Sequence, residues 1–116
     1  MDERLKKALD FSNFMVTLNN QKRVLQETYY QDLILYYKGG QFTATKELIC
    51  FCQTMLNNKQ NTLVLVDDNN IPIKIEDLSL FNNDVCDTYL SASNKFLAEY
   101  NKLKKNRNVE KLVEYD

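Results

Sequence analysis

Two long apolar stripes with helical spacing flank a short β-rich segment in the middle of the chain. The first stripe recurs at steps of three or four, with one gap, at Leu5, Ala8, Phe11, Met15, Leu18, Leu25, Tyr29, Leu33 and Tyr36. The second stripe comprises Leu78, Phe81, Val85, Tyr89, Ala92, Phe96, Tyr100 and Leu103. Such spacing places apolar side chains on one face of an α-helix. The pattern predicts long helices at residues 2–38 and 77–105, packed antiparallel because each stripe needs a partner.

The first predicted helix starts at Asp2, a good N-cap residue, and is expected to end at the doublet Gly39-Gly40. Its apolar stripe weakens at residues 19–23, where Lys22 falls on the stripe. The interruption predicts a kink, a polar layer or a helix break. Its role is either to select one register, as a polar seam residue does, or only to bend the helix.

Residues 41–43 form a candidate strand, and a helix is expected at residues 44–57, capped by Thr43 or Thr45. Residues 62–75 predict a β-hairpin, because two β-branched apolar runs flank a turn of Asp and Asn residues.

Residues 107–116 are expected to form a short C-terminal tail. The prediction is a single domain, residues 1–116, of the α+β class and mostly α. It is a long antiparallel helical hairpin with a small tip of β-hairpin and short helix, in the order α-β-α-β-β-α. The expected core comprises Phe11, Met15, Leu18, Leu25, Leu33, Leu48, Phe51, Val64, Ile73, Val85, Ala92 and Phe96.

Composition narrows the range of functions. A net charge of −1 argues against a general nucleic-acid binder, which carries a basic excess. The longest apolar runs fall far short of the ~20 residues that a membrane-spanning helix needs. The first residues are followed by no apolar segment of the signal-peptide type, and the three cysteines show no framework spacing. A cytoplasmic protein without membrane contact is expected.

The sequence lacks the usual parts of a catalytic site. It has no His, which is the commonest general acid–base and metal ligand. Cys50 and Cys52 do not have the C-x₂-C zinc spacing, and two residues along a helix point to different sides. A calcium loop counted from Asp67 would place Pro72 and Leu78 where Gly and Glu are needed. No enzyme activity and no catalytic, cofactor-binding or metal-binding residue are therefore predicted.

Two surfaces are candidates for binding. Aromatic and apolar side chains beside the main seam predict a protein interface at Phe14, Tyr29, Tyr30, Tyr36, Tyr37 and Leu90. Cationic side chains near both chain ends predict a basic patch at Arg4, Lys6, Lys7, Lys102, Lys104, Lys105, Arg107 and Lys111. An antiparallel hairpin is expected to bring the two basic groups together.

Three segments resemble small uncharacterised proteins of T4-like phages of marine bacteria: residues 1–11, 19–23 and 39–43. The resemblance implies a virus-encoded protein of the host cytoplasm and supplies no functional residues. The helix–β-hairpin–helix order is also similar to prefoldin, a coiled-coil chaperone, although the extra helix between Phe42 and Thr62 departs from that pattern.

The leading functional hypothesis is a non-enzymatic assembly, adaptor or chaperone-like interaction protein. Its expected partners are a second copy, as a homodimer or higher oligomer, and an unidentified protein. The alternative is a nucleic-acid- or polymerase-associated phage factor that uses the basic patch, with nucleic acid the less favoured partner. No cofactor is expected.

Overall fold

A computed structural model describes the backbone of residues 2–115 and the side chains of residues 2–105. Its elements are α1 (Glu3–Asp32), β1 (Ile34–Tyr37), β2 (Gly40–Thr43), α2 (Lys46–Asn57), β3 (Leu63–Val66), β4 (Pro72–Ile75) and α3 (Leu78–Tyr115). The predicted class, a mostly helical α+β fold with two long helices in an antiparallel hairpin, is confirmed. The order gains one strand and becomes α-β-β-α-β-β-α.

Helix α1 is unbroken through residues 19–23 but ends six residues earlier than predicted, at Asp32. The residues that follow pair as a hairpin, with Ile34 opposite Thr43 and Tyr37 opposite Gly40. The β-branched and aromatic residues of β1 suit a strand better than a helix. The prediction of a helix at residues 2–38 is therefore wrong at its C-terminal end.

The turn between β1 and β2 consists of Lys38 and Gly39, with φ angles of 47° and 79°. Two residues with positive φ are the mark of a type I′ turn, whose twist matches that of the flanking strands. The prediction that Gly39-Gly40 closes the first helix is wrong, because the doublet belongs to this hairpin.

The second hairpin is confirmed, with β3 antiparallel to β4 and Leu65 opposite Ile73. Helix α2 is also confirmed, and its cap is Thr45, whose hydroxyl accepts a hydrogen bond from the Leu48 N–H at 3.1 Å.

Helix α3 begins after Asp77, whose carboxylate accepts a hydrogen bond from the Leu80 N–H at 3.2 Å. It continues to Tyr115, so the predicted end at residue 105 and the separate tail at 107–116 are wrong for the described backbone. The Lys, Arg, Glu and Leu residues of this stretch favour helix and outweigh its two Asn residues.

The chain divides into two compact units, which are named here by their content. The hairpin unit, Tyr29–Asn94, holds both β-hairpins, α2 and the adjoining parts of α1 and α3. The helical unit, Met1–Thr28 and Lys95–Asp116, holds the remainder of α1 and α3.

The hydrophobic core lies in the hairpin unit. Its largest fully buried side chains are Phe81, Ile75, Leu78, Val85 and Cys52. The Phe81 ring makes edge contacts with Phe42 and Tyr37, with centroids 5.1 and 5.2 Å apart. Because aromatic rings favour this geometry, Phe81 joins α3 to the first hairpin.

The expected core is confirmed only in part. Of the predicted residues, five are buried and four are half-buried: Leu18, Leu33, Ile73, Val85 and Ala92, then Met15, Leu25, Leu48 and Phe96. Phe11, Phe51 and Val64 are exposed. For Val64 the reason is strand alternation, since β3 turns Leu63 and Leu65 towards the core and Val64 outwards.

The two hairpins are joined through a buried carboxylate, that of Asp67. Its Oδ1 accepts hydrogen bonds from the N–H groups of Asn69 at 3.0 Å and Ile71 at 2.7 Å, which close the β3–β4 turn. Its Oδ2 accepts from the Gln41 N–H of β2 at 3.0 Å. The Asp68 N–H then donates to the Gln41 backbone carbonyl at 2.8 Å, so both backbone polar groups of Gln41 are used.

Gly40 permits the close approach of the hairpins. A Cβ atom at this position would lie 2.7 Å from Ile73 Cγ1 and 3.2 Å from Phe42 Cε2. Both neighbours are buried core residues with little freedom to move.

We predict that Gly40→Ala lowers the free energy of unfolding by about 1–3 kcal/mol, because the new methyl overpacks the core. Gly39→Ala, with open space around the position but φ of 79°, should lower it by about 1–2 kcal/mol through backbone strain alone. Urea unfolding with a double-mutant cycle tests whether contact with Ile73 causes the loss at Gly40. Ile73→Ala should lower the free energy of unfolding less in the Gly40→Ala background than in the native chain. Additive losses would show that the new methyl at position 40 does not collide with Ile73.

We predict that Asp67→Asn destabilises the fold at neutral pH more than Asp68→Asn does, because an amide NH₂ would meet backbone N–H donors. The Ile71 N–H, and then those of Gln41 and Asn69, lower the pKa of Asp67 against the opposing effect of desolvation. A carboxyl whose pKa is lower in the folded chain stabilises it above the unfolded value of ~3.9 and loses this effect as the pH falls through the folded pKa. Urea unfolding at pH 7 and at stepwise lower pH should show the Asp67→Asn deficit shrinking below about pH 4. A deficit independent of pH would contradict the role of the charge.

Candidate interaction surface

The helical unit has almost no core of its own. Among its described side chains, Leu18 alone is buried, at 3% exposure. Helices draw most of their stability in proteins from burying an apolar face rather than from intrinsic propensity. Two helices that share one buried residue therefore gain little stability from packing on each other, and further contacts would stabilise them.

A groove of about 500 Å³ lies between the two helices of this unit. Its lining is Thr17, Asn20, Gln21, Val24, Leu25, Glu99, Lys102 and Leu103. Val24, Leu25 and Leu103 supply an apolar surface, and Lys102 bonds to Glu99 at 3.3 Å on the α3 side. The lining of the groove therefore provides a concave apolar surface with a few polar groups.

Polar residues of the predicted seam interruption help to form this groove. Asn20 and Gln21 line it, while Lys22 is half-buried beside Leu18 and Leu103 in a neighbouring small cavity. Sequence reasoning missed the groove, although the weakened stripe at residues 19–23 was the available signal for looser packing.

Large apolar side chains also lie on the outer surface of α1. Leu5, Leu9 and Val16 precede the buried Leu18 by thirteen, nine and two residues, which places them about 180–220° around the helix from it. All three are exposed. Helix α1 thus carries apolar residues on two opposite faces, and only one of these faces meets α3 in the described part of the unit.

The structure distributes the predicted interface residues between the units. Phe14 is half-buried in the helical unit, whereas the other five lie in the hairpin unit. Tyr29 hydrogen-bonds to the Ser93 hydroxyl at 3.2 Å and Tyr37 packs on Phe81, so both help to build the fold. Tyr30, Tyr36 and Leu90 are exposed, Tyr36 by 75% because it points outwards from β1.

The predicted basic residues lie in the helical unit and are exposed wherever their side chains are described: Arg4, Lys6, Lys7, Lys102, Lys104 and Lys105. The side chains of Arg107 and Lys111 lie outside the described residues. Lys104 lies beside Leu18, whereas Lys7 precedes Leu18 by eleven residues, about 16 Å along α1. Lys104 and Lys7 therefore lie at different levels of the helical unit, and the meeting of the two complete basic groups stays a prediction.

The three cysteines differ in exposure, and Cys86 is half-buried. Cys52 is buried and Cys50 exposed, which confirms that the two thiols point to different sides of α2. Burial raises the pKa of the Cys52 thiol to about 11, with a further contribution from Cys86, so the thiol stays protonated and unreactive. No three Cys, Asp or Glu side chains come together as a metal-binding group among the described residues.

None of the helices in the described part of the chain combines the length and the apolar content that a bilayer crossing requires. Comparison of the chain with models of protein families, with curated proteins and with solved structures finds no match.

Proposed function

We propose that this chain is a non-enzymatic assembly or adaptor protein whose helical unit docks on another protein chain. The observation that carries the proposal is the contrast between one buried side chain in the described helical unit and the apolar residues it exposes. Exposed apolar surface of this extent is typical of protein–protein contact sites. The likeness to phage proteins extends the proposal to a virus-encoded factor of the host cytoplasm.

The groove is the surface best suited to such docking. It is concave and lined by three aliphatic side chains, and its Asn, Gln, Thr, Lys and Glu residues give specificity through hydrogen bonds. Amphipathic helices bind grooves of this type by inserting apolar side chains. A chaperone-like role fits the same surface, since an apolar groove also accepts unfolded segments.

A nucleic-acid-associated factor is the second candidate, and the exposed lysines of the helical unit favour it. Lys102, Lys104 and Lys105 lie together on α3 without a matching number of acidic neighbours in the described residues. Phosphate contacts weaken steeply with salt, so binding of an oligonucleotide that disappears at raised salt would support this candidate.

We predict that Val24→Glu abolishes partner binding, because Val24 lines the groove and is 54% exposed. The matched control is Val64→Glu, at a valine of β3 that is 61% exposed and does not line the groove. Substitutions at exposed positions change stability by only about 0.5 kcal/mol, so both variants should fold. Affinity capture from the cells that express the chain, followed by mass spectrometry, should return a partner with the native chain and the control but not with Val24→Glu. Equal capture by all three would contradict docking in the groove.

A further inference from the structure

Charge is divided unevenly between the two units. The helical unit carries eleven Lys and Arg against eight Asp and Glu, a net charge of +3. The hairpin unit carries four Lys against eight Asp and Glu, a net charge of −4. The overall charge of −1 conceals this separation. Opposite net charges attract two copies of the chain when unlike units face each other, over a screening length of ~8 Å at physiological salt.

The acidic unit presents a helical face that suits the groove. Leu80, Asp84, Asp87 and Leu90 follow one another on α3 at steps of four, three and three, and all four are exposed. Because these steps keep residues on one side of a helix, they form a single strip, called the acidic stripe. Asp87 lies two residues from the buried Val85, about 200° around the helix, so the stripe faces away from the core.

The groove offers an apolar lining, and lysines lie in and next to it. Val24, Leu25 and Leu103 offer an apolar surface for leucines such as Leu80 and Leu90. Lys102 lines the groove, and Lys105 follows one turn later on the same helix, exposed like Lys102. Amphipathic helices bind grooves of this kind through apolar side chains, and the leucines at the two ends of the stripe can serve as such contacts.

We infer that copies of this chain associate head to tail, with the acidic stripe of one copy seated in the groove of the next. The inference rests on the proposed function, because it names the occupant of the same groove. The two surfaces differ, so each copy has one free groove and one free stripe, and the assembly closes as a ring or extends as a filament. A nucleic acid fits the groove less well, because the three aliphatic side chains of the lining match the leucines of the acidic stripe and do not match phosphates.

The test exchanges the charges between the two surfaces. The first variant is Asp84→Lys/Asp87→Lys, and the second is Lys102→Glu/Lys105→Glu. All four positions are exposed, so circular dichroism should show native helix content for both variants. Each variant places like charges at the contact and should weaken self-association about tenfold or more.

An equimolar mixture of the two variants should recover the assembly, because the lysines of the first stripe then meet the glutamates of the second groove. The reverse contact pairs the native groove of the first with the native stripe of the second. Light scattering and sedimentation velocity at micromolar concentration measure this recovery. The native chain should form assemblies that grow with concentration and dissociate as salt is raised. The charge-matched control is Glu47→Lys, an exposed acidic position on α2 outside the stripe, compared with Asp87→Lys alone.

A native chain that stays monomeric, or a mixture of folded variants that fails to recover, would overturn the inference. So would assembly that survives both charge exchanges. Loss of a captured partner in Val24→Glu, with the native chain monomeric, would leave the proposed function standing with a different protein in the groove. Salt-sensitive oligonucleotide binding by a monomeric chain, lost in Lys102→Glu/Lys105→Glu, would replace the inference with nucleic-acid recognition.

Discussion

The hairpin unit depends on the buried carboxylate of Asp67. It closes the β3–β4 turn through Asn69 and Ile71 and binds Gln41 of the other hairpin. Two-stranded sheets are marginally stable alone, so each hairpin needs the other and α3 to exclude water from its inner face. The carboxylate is satisfied by three backbone donors, which is the condition for burying a charged group at acceptable cost. Gly40 completes the junction by leaving room for Ile73.

Stability is distributed unequally along the two long helices. The same helix α3 carries Phe81 and Val85 within the core of the hairpin unit and continues into a unit where, among described residues, Leu18 of α1 is the only buried side chain. Packing of the hairpin unit can hold the C-terminal end of α1 and the N-terminal part of α3 in place, and cooperative propagation then extends each helix at low cost per residue. The extension leaves apolar and charged side chains exposed, and the proposed function uses them for binding.

The two units carry opposite net charges, and this separation bears on how two copies of the chain would be oriented if they associate. A chain of near-zero net charge would be expected to associate without orientation, but +3 and −4 on different units favour one mutual arrangement over another. In the proposed assembly, the apolar lining of the groove would supply affinity, while the lysines in and next to it and the acidic stripe would supply orientation. The proposed assembly and the proposed adaptor role use the same groove, so self-association and partner binding would compete.

Local pattern determined the class of this protein: two long helices from their three-and-four spacing, α2 with its Thr45 cap, and the second hairpin with its Asp-Asn turn. It did not determine where α1 ends, because Leu33 and Tyr36 continue the helical step although α1 has already ended at Asp32. Nor did it show which side of an apolar strand faces the core, as the exposed Val64 demonstrates. When both faces of a strand are apolar, the sequence alone does not tell which face a neighbouring element covers. The groove, the junction at Asp67 and the acidic stripe arise from residues that are distant in sequence or distinguished only by which neighbours cover them. Only tertiary packing brings these together, because it alone decides which of two equally apolar faces is buried and which stays exposed.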